Sequence, residues 1–565
     1  MQGADGFMMN AGSNPNVMLH SPSPGGGGSG ASGGGGSAAD VVNVRDFGAV
    51  GDGSTDDSRA FRDAVNAILN RLGKLPEIPA GGDGANSAGY KLYVPPGTYR
   101  IVSPKVLMPD TFTGLPPTQG IVIEGAGPYM STILFAPRTP NSFLMHNNNE
   151  FLYLTIRDIA FVSATANANF MYSYSRGFAQ RYRFDNVAWG GDWTYGFHLE
   201  GTNNNSEMTW VGCSVTGRWN TFFHVPQSVG MTGDQFVNYN FLSCHFEVNR
   251  GNFLDMAYGG SVNVIGGSYM IYGTGSPGGT LFTLRNSNHQ NGTQRFLAEG
   301  LRVELKDSFG RLIDCSWGKG TVTMISVDTS VQQWNGNTTG VGAVFDLDSN
   351  SGPSVAWINC SLQGKHEYKY AVGAHTRSAR ILYQNCEMWH YNSAADFIVT
   401  TNKSGRNTGG APLIKFDMCR GRPDDASQNN YLFDTTLNWH LNRTGHAHKQ
   451  VLHLGVPGNG GLPNAGTTVD AWLPKDAVIT NVRLFLAPGA VRSSSRGWQF
   501  RVRTSESTPA TLAVATPENN IPSQGFNVDS SMFFVCDSDA KRHIVLSATG
   551  ASGNPPGMCV IEYLA

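Results

Sequence analysis

From Val41 the apolar positions first follow a helical spacing and then the short spacing of strands. Ala60, Phe61, Ala64, Val65, Ile68 and Leu69 recur at intervals of three and four, which predicts one amphipathic helix. The turn cluster "GDGSTDD" precedes it. There Ser54 or Thr55 supplies a cap, and Asp56 and Asp57 fall in the first turn, where the helix dipole favours negative charge. "KLYVPPGTYRIV" then reads as strand, turn and strand, and "GIVIEGAGPYMSTILFAP" (Gly120 to Pro137) repeats that order. The cluster of Asp residues therefore reads as turn and cap chemistry and not as a reaction centre.

Further on, a short phrase recurs: "RDIAF", "DNVAW", "VGCSV", "SCHF", "GGSY", "GLRV", "DTSV", "NCSL" and "NCEM". Their last residues are Phe161, Trp189, Val215, Phe246, Tyr269, Val303, Val331, Leu362 and Met388. Cys213, Cys244, Cys360 and Cys386 each stand two residues before such a landmark, and Cys419 fits one further turn of the repeat. Stacked coils with an inward ladder of small side chains explain both series. Parallel strands lie ~4.8 Å apart, while a relaxed disulfide needs Cβ atoms at ~3.8 Å, so thiols are expected. About ten coils between Glu150 and Asp434 would stand ~48 Å tall.

Near Lys449 the pattern changes to alternating strands with Pro/Gly loops, which predicts a separate β-sandwich to Ala565. At the other end, Met1 to Ala39 contains "SPSPGGGGSGASGGGGSAAD", a flexible linker. The stub before it is a disordered tail or an attachment peptide.

Composition agrees with many short strands. The 565 residues include 70 Gly, only 15% are charged, and aromatics reach 11%. A net charge of −2 offers no basic field for nucleic acid. No run is apolar enough for membrane insertion, and no secretion signal opens the chain. Neither a Cys-x2-Cys spacing nor a calcium-type ligand cluster is visible, so no metal or other cofactor is expected.

"VRDFGAVGDGSTDDSRAFRDAV", with "LYVPPGTYRI" and "IVIEGAGP" after it, resembles the N-terminal signature of the pectate-lyase-like superfamily. More narrowly it resembles phage tailspikes and capsule depolymerases. The match spans Val41 to Pro137. The resemblance implies an all-β chain: a right-handed parallel β-helix with an N-terminal capping helix and the C-terminal sandwich. It implies a homotrimer in a virion tail, made in the host cytoplasm and acting at the bacterial surface. Its partners would be a host surface polysaccharide and, through the N-terminus, the tail or baseplate. C-terminal domains in that family trimerise the shaft or bind sugar. The expected organisation is a flexible segment 1–39, an entrance and cap 40–137, a shaft 138–446 and a sandwich 447–565. The Asn-Thr-Asp, Gly-His-Gly and Arg-Ile-Lys tripeptides of polygalacturonases are absent, as is the Asp-Pro-His-Asp of alginate epimerases.

Counting from the landmarks gathers candidate chemistry into columns. Glu247 and Glu304 fall one residue after their landmarks, two coils apart. That gap, ~9.6 Å, sits just beyond the ~6.5–9.5 Å window of inverting glycosidases. Glu247, with Asp255, Asp192 or Glu304 as partner, is the expected catalytic carboxylate of a hydrolase. Trp193 and Trp219 stand on adjacent coils and form a stacking platform or part of the core. His198, His224 and Asp255 follow Phe197, Phe223 and Leu254. Period-two alternation then turns the polar set outwards if the apolar set turns in. There a histidine can serve as the base of a lyase. Glu200 and Arg250 complete the expected sugar-binding set; Glu207 stands as a candidate beside Asp192 and Glu200, and Asp307 and Asp314 are weaker. A different class of function is a receptor-binding fibre without activity; a third, a structural virion protein, is disfavoured by the polar and aromatic richness of the middle coils.

Overall fold

The structure is a computed structural model. It describes residues 40–72, 90–108, 118–119, 121–148, 151–226, 236–249, 251–272, 279–285, 294–305, 310–330, 341–347, 353–370, 380–391, 397–402 and 413–422, and the backbone of the strands beyond. The expected tail and linker, Met1 to Ala39, lie outside the described residues.

Each coil contributes up to three short parallel strands, so the shaft has three faces. On the first face, thirteen strands pair in succession from Val41–Asn43 to residues 413–417. Ten of them lie beyond Glu150, the number expected from the repeat. The landmarks form a register column on the second face: Phe161 pairs with Trp189, then Val215, Phe246, Tyr269 and Val303. All are buried, because they are the inward residues of their strands. One landmark is displaced. Val303 pairs with Thr329 and not with Val331, so the inward residue of this coil lies two positions before the end of the phrase "DTSV". Val331 itself lies outside the described residues.

The corner between the first and second faces is a column of left-handed residues. Asp158, Asn186, Ser243, Ser326, Asn359, Asn385 and Met418 have φ between 50 and 54°, except that Asn and Ser neighbours are replaced by Gly212, Gly266 and Gly300 on three coils. Asn and Asp tolerate this conformation because their side chains bond locally. Here they bond to one another: Asn186 donates to Asp158 and Asn385 donates to Asn359, each at 2.8 Å. Cys213, Cys244, Cys360, Cys386 and Cys419 follow this corner directly and turn inwards as buried free thiols, with Cys315 elsewhere in the core. At the next corner Gly191 (φ 88°) and Gly217 (φ 95°) stack. A Cβ on Gly217 would meet the Gly191 carbonyl oxygen at 2.2 Å, so no other residue fits.

The helix is Ser58–Leu72, and its six predicted apolar positions are all buried in the core that fills the coils. Its cap differs from the expectation. Asp52–Asp56 is a strand, so Ser54 and Thr55 cannot cap, and no acid lies in the first turn. Their amides bond the Asp52 carboxylate instead, at 2.8 and 2.7 Å. Asp57 starts the helix: its carbonyl accepts from the Phe61 amide at 3.1 Å. Its buried carboxylate accepts from the amides of Val50 (2.7 Å) and Gly51 (3.2 Å). Ser58 Oγ accepts from Val102 and Ser103 and ties the helix to the first coils. The Asp cluster is turn and cap chemistry throughout.

Parallel stacking ends where residues of Leu413–Arg422 pair antiparallel with Tyr431–Asn438. Beyond Lys449 every described pairing is antiparallel. One sheet contains Lys449–Val456, Gly557–Leu564 and Val478–Leu486, and a second contains Thr468–Trp472, His543–Thr549, Gly497–Arg503 and Pro509–Ala515. The switch in strand direction begins with Tyr431–Asn438, ahead of the change of pattern at Lys449.

Candidate active site

The third face carries the most concentrated chemistry. Phe197, Phe223 and Leu254 are fully buried, and alternation turns His198, His224 and Asp255 to the opposite side. Pairing places these three in one column on consecutive coils. The column extends back to Tyr172 and His146 and forward to Thr283, Asp314, Val344 and Glu367.

A hydrogen-bonded chain crosses it. Tyr172 Oη donates to Glu200 Oε2 at 2.8 Å. The other carboxylate oxygen of Glu200 lies 3.0 Å from His198 Nε2, and His198 Nδ1 lies 3.1 Å from His224 Nδ1. Burial alone would raise the Glu200 carboxyl, but the hydrogen bonds from His198 and Tyr172 and the nearby imidazoles hold it low. Glu200 is thus an acceptor, and a neutral His198 that donates to it from Nε2 offers the lone pair of Nδ1. His224 must then donate from Nδ1, which leaves the Nε2 lone pair of His224 as the end of the chain. Burial, then His198 and Arg285, lower His224 to about 4, with Glu200 opposing. The imidazole is neutral near pH 7. The Tyr195 ring stacks on it at 4.7 Å and 7° and fixes its plane. Burial and the bond to Glu200 push the Tyr172 phenol up, so it keeps its proton.

Asp255 sits next in the column and is paired by Arg285 through Nε (3.1 Å) and through Nη2 to both oxygens. Arg285 is itself half exposed.

The other expected residues fall elsewhere. Glu247 and Glu304 are in register two coils apart, as counted, but on the second face. Glu247 is 38% exposed and accepts from Tyr272 Oη at 2.9 Å, with His245 Nε2 at 3.4 Å. Glu304 is 2% exposed and ion-paired with Arg302. It cannot serve as the solvent-facing partner of Glu247, because its carboxylate is sequestered. Asp255 is on a different face from Glu247. Asp192 stands opposite Arg218 on the next coil. Trp193 and Trp219 stack at 5.7 Å and 15°, but each is only 3% exposed. Their Nε1 atoms donate to Gly190 and Thr216 carbonyls across the tight corner, so they are core and not a platform for sugars. Glu207 is exposed and pairs with Arg181 at 3.4 Å. Asp314 pairs with Arg311 at 3.1 Å. Arg250 and Asp307 lie outside the described residues.

Counting missed Tyr172, Tyr195 and Arg285. A register shift between Ser163 and Ala168 moves Tyr172 to eleven residues past its landmark. Arg285 follows a coil lengthened after Tyr272. The detectable signal was the interval of 26 residues from Tyr172 to His198, repeated from His198 to His224.

Among the described residues, no group of three His, Cys, Asp or Glu side chains is placed to hold a metal ion. A groove of about 430 Å³ opens at the first corner of the last coils, lined by Asn359, Ser361, Asn385, Glu387, Met418 and Arg420, away from all the expected residues.

Residues 41–234 match the family described as rhamnogalacturonase A/epimerase, pectate lyase-like. No curated protein matches the sequence. Among solved structures, the chain is similar to the A-module of mannuronan C-5 epimerase AlgE4 from Azotobacter vinelandii, at 14% identity over 67% of this chain and 96% of that one (TM-score 0.40). It is similar to the tailspike protein gp49 of Acinetobacter baumannii bacteriophage Fri1, a capsular polysaccharide depolymerase, at 9% identity over 94% and 86% (TM-score 0.38). It is also similar to ORF18 of Geobacillus virus E2, at 12% identity over 91% and 78% (TM-score 0.34).

Proposed function

We propose that this chain, whose residues 41–234 belong to the pectate-lyase-like superfamily, is a phage tailspike that depolymerises a host surface polysaccharide on its third face. One observation carries the assignment of the face: the ordered chain Tyr172–Glu200–His198–His224 on consecutive coils, ending in a neutral imidazole. The tailspike reading rests on the signature between Val41 and Pro137 and on the linker that precedes it.

His224 Nε2 is the proton acceptor. When it gains a proton, Nδ1 still donates to His198, and His198 still donates to the Glu200 carboxylate, which offsets the new charge. Base-first chemistry suits elimination from a uronate-containing polymer. The C–H beside the carboxylate loses its proton to His224, the electron pair forms a C=C bond, and the glycosidic C–O bond breaks. The leaving oxygen then takes up a proton. Arg285 stands beside this centre and offers guanidinium N–H groups to a carboxylate.

The second reading is hydrolysis, favoured by the exposed and hydrogen-bonded Glu247. With Glu304 sequestered, its partner acid would come from a neighbouring subunit of a homotrimer. In either reading the segment 1–39 attaches the protein to the tail or baseplate, 40–137 and 138–446 form the entrance and shaft, and 447–565 trimerises or binds sugar.

The test is incubation with host surface polysaccharide, scoring reducing ends and ultraviolet-absorbing unsaturated ends. Absorbance that disappears in His224→Ala supports elimination. Reducing ends without absorbance, lost in Glu247→Gln and kept in His224→Ala, would replace it with hydrolysis. Binding without either product would make the protein a receptor-binding fibre.

A further inference from the structure

South of the imidazoles, the same outward column carries an acid on every second coil. Asp255 pairs with Thr283, Thr283 with Asp314, Asp314 with Val344 and Val344 with Glu367. The intervening positions are uncharged, and Val344 is buried. Each acid has its own cation from the third face: Arg285 for Asp255, Arg311 for Asp314 at 3.1 Å, and Lys369 for Glu367 at 3.8 Å. Thr401 Oγ1 also donates to Glu367 at 2.8 Å. Asp314 is the most open of the three acids, at 36% exposed, while Asp255 (11%) and Glu367 (15%) are largely covered and their cations are the more open partners.

Two coils rise ~9.6 Å, about the span of two sugar rings in an extended polymer. A carboxylate beside a guanidinium or ammonium presents acceptors and donors side by side. That is what neighbouring sugar hydroxyls, or a hydroxyl and a carboxylate, require.

We propose that Asp255–Arg285, Asp314–Arg311 and Glu367–Lys369 are three successive subsites that read a polysaccharide with a two-sugar period, lying along the shaft axis and leading to His224. This inference rests on the assignment of the third face made above and adds the repeat length of the substrate. Each pair grips the same sugar of successive repeats, so affinity grows by disaccharide steps.

The experiment measures kcat/KM on size-fractionated oligosaccharides of the polymer that the wild-type protein degrades, in Asp314→Asn, Glu367→Gln and Arg311→Gln. The wild type should gain in steps of two sugars. Glu367→Gln keeps an acceptor and loses the charge, so it should lose about three- to tenfold only on the longest fragments, the effect of one weakened hydrogen bond. Asp314→Asn and Arg311→Gln should lose the gain from one step shorter onwards. Gains for every single sugar added, or an equal loss at all lengths, would overturn the ladder. If the wild type degrades nothing, the depolymerase reading fails, and the ladder is tested by gel retardation with hyaluronan (charged on every second sugar), polygalacturonate (charged on every sugar) and dextran (neutral). Retardation strongest with hyaluronan and weakened in Asp314→Asn and Glu367→Gln supports it. No such preference overturns it.

Discussion

His366 gives the sharpest test of the packing. It is 2% exposed and packs between Trp357 and Phe397, with ring centroids 4.5 Å away on each side. Its Nδ1 lies 2.7 Å from Tyr383 Oη, which also bonds Tyr368 Oη. Burial lowers this imidazole from 6.5 to about 3. Between those values the unfolded chain binds a proton that the folded chain does not. Stability is therefore full above pH 6.5 and falls as the pH drops through it, levelling off only near 3. At ~1.36 kcal/mol per pH unit, acidification from pH 7.5 to 4.5 should cost about 2–3 kcal/mol through this residue alone. Other histidines titrate too, so the informative quantity is a difference. Denaturant midpoints are measured at both pH values, by tryptophan fluorescence, for the wild type and His366→Phe. The variant keeps the packing beside Phe397 and removes the titration. Its loss on acidification should be smaller than that of the wild type by about 2–3 kcal/mol. An equal loss in both proteins would refute the buried, neutral imidazole.

Glu200→Gln should lower activity at least tenfold with KM little changed, because the imidazolium of His224 loses its distant counter-charge; an unchanged kcat would remove Glu200 from the chemistry. Tyr172→Phe keeps the ring stacked on His146 (4.8 Å) and removes one bond to Glu200, so it should cost less than Glu200→Gln in the same assay. Trp193→Ala should destabilise the shaft by about 3–5 kcal/mol, read from denaturant midpoints, whereas a sugar platform would show its loss in KM at unchanged stability. Burial pushes the thiols of Cys213 and Cys315 up, the latter to about 12, so peptide mass spectrometry after iodoacetamide treatment should find both unmodified until the protein unfolds.

The fold was legible because its repeat is written in residues with few alternatives. Small side chains and Asn or Gly at the first corner recur on most coils, since they suit a left-handed backbone beside a close neighbour, and Met418 takes that place on the last coil. The column His198–His224–Asp255 followed from the same count, because strand alternation fixes which side a residue faces. Four things were not legible. Whether an outward carboxylate stays in solvent depends on its neighbours in space, as Arg302 beside Glu304 shows. The corner tryptophans turned inwards because the backbone carbonyls of Gly190 and Thr216 take their N–H groups. Residues beyond a lengthened turn, such as Tyr172 and Arg285, escape any fixed offset. The helix cap moved to Asp57 because Asp52 claims the amides of Ser54 and Thr55 for a turn of its own.

The antiparallel strand Tyr431–Asn438 has a consequence for assembly. A stack of parallel coils ends in unpaired backbone and an open apolar interior, and an identical copy could add there without limit. A strand running the opposite way offers the next chain the wrong hydrogen-bond pattern. At the other end, the helix Ser58–Leu72 sends its apolar side chains into the first coils. The stack thus terminates chemically at both ends. A further parallel coil would find no matching hydrogen-bond pattern beyond Tyr431–Asn438 and no open apolar interior beneath the helix.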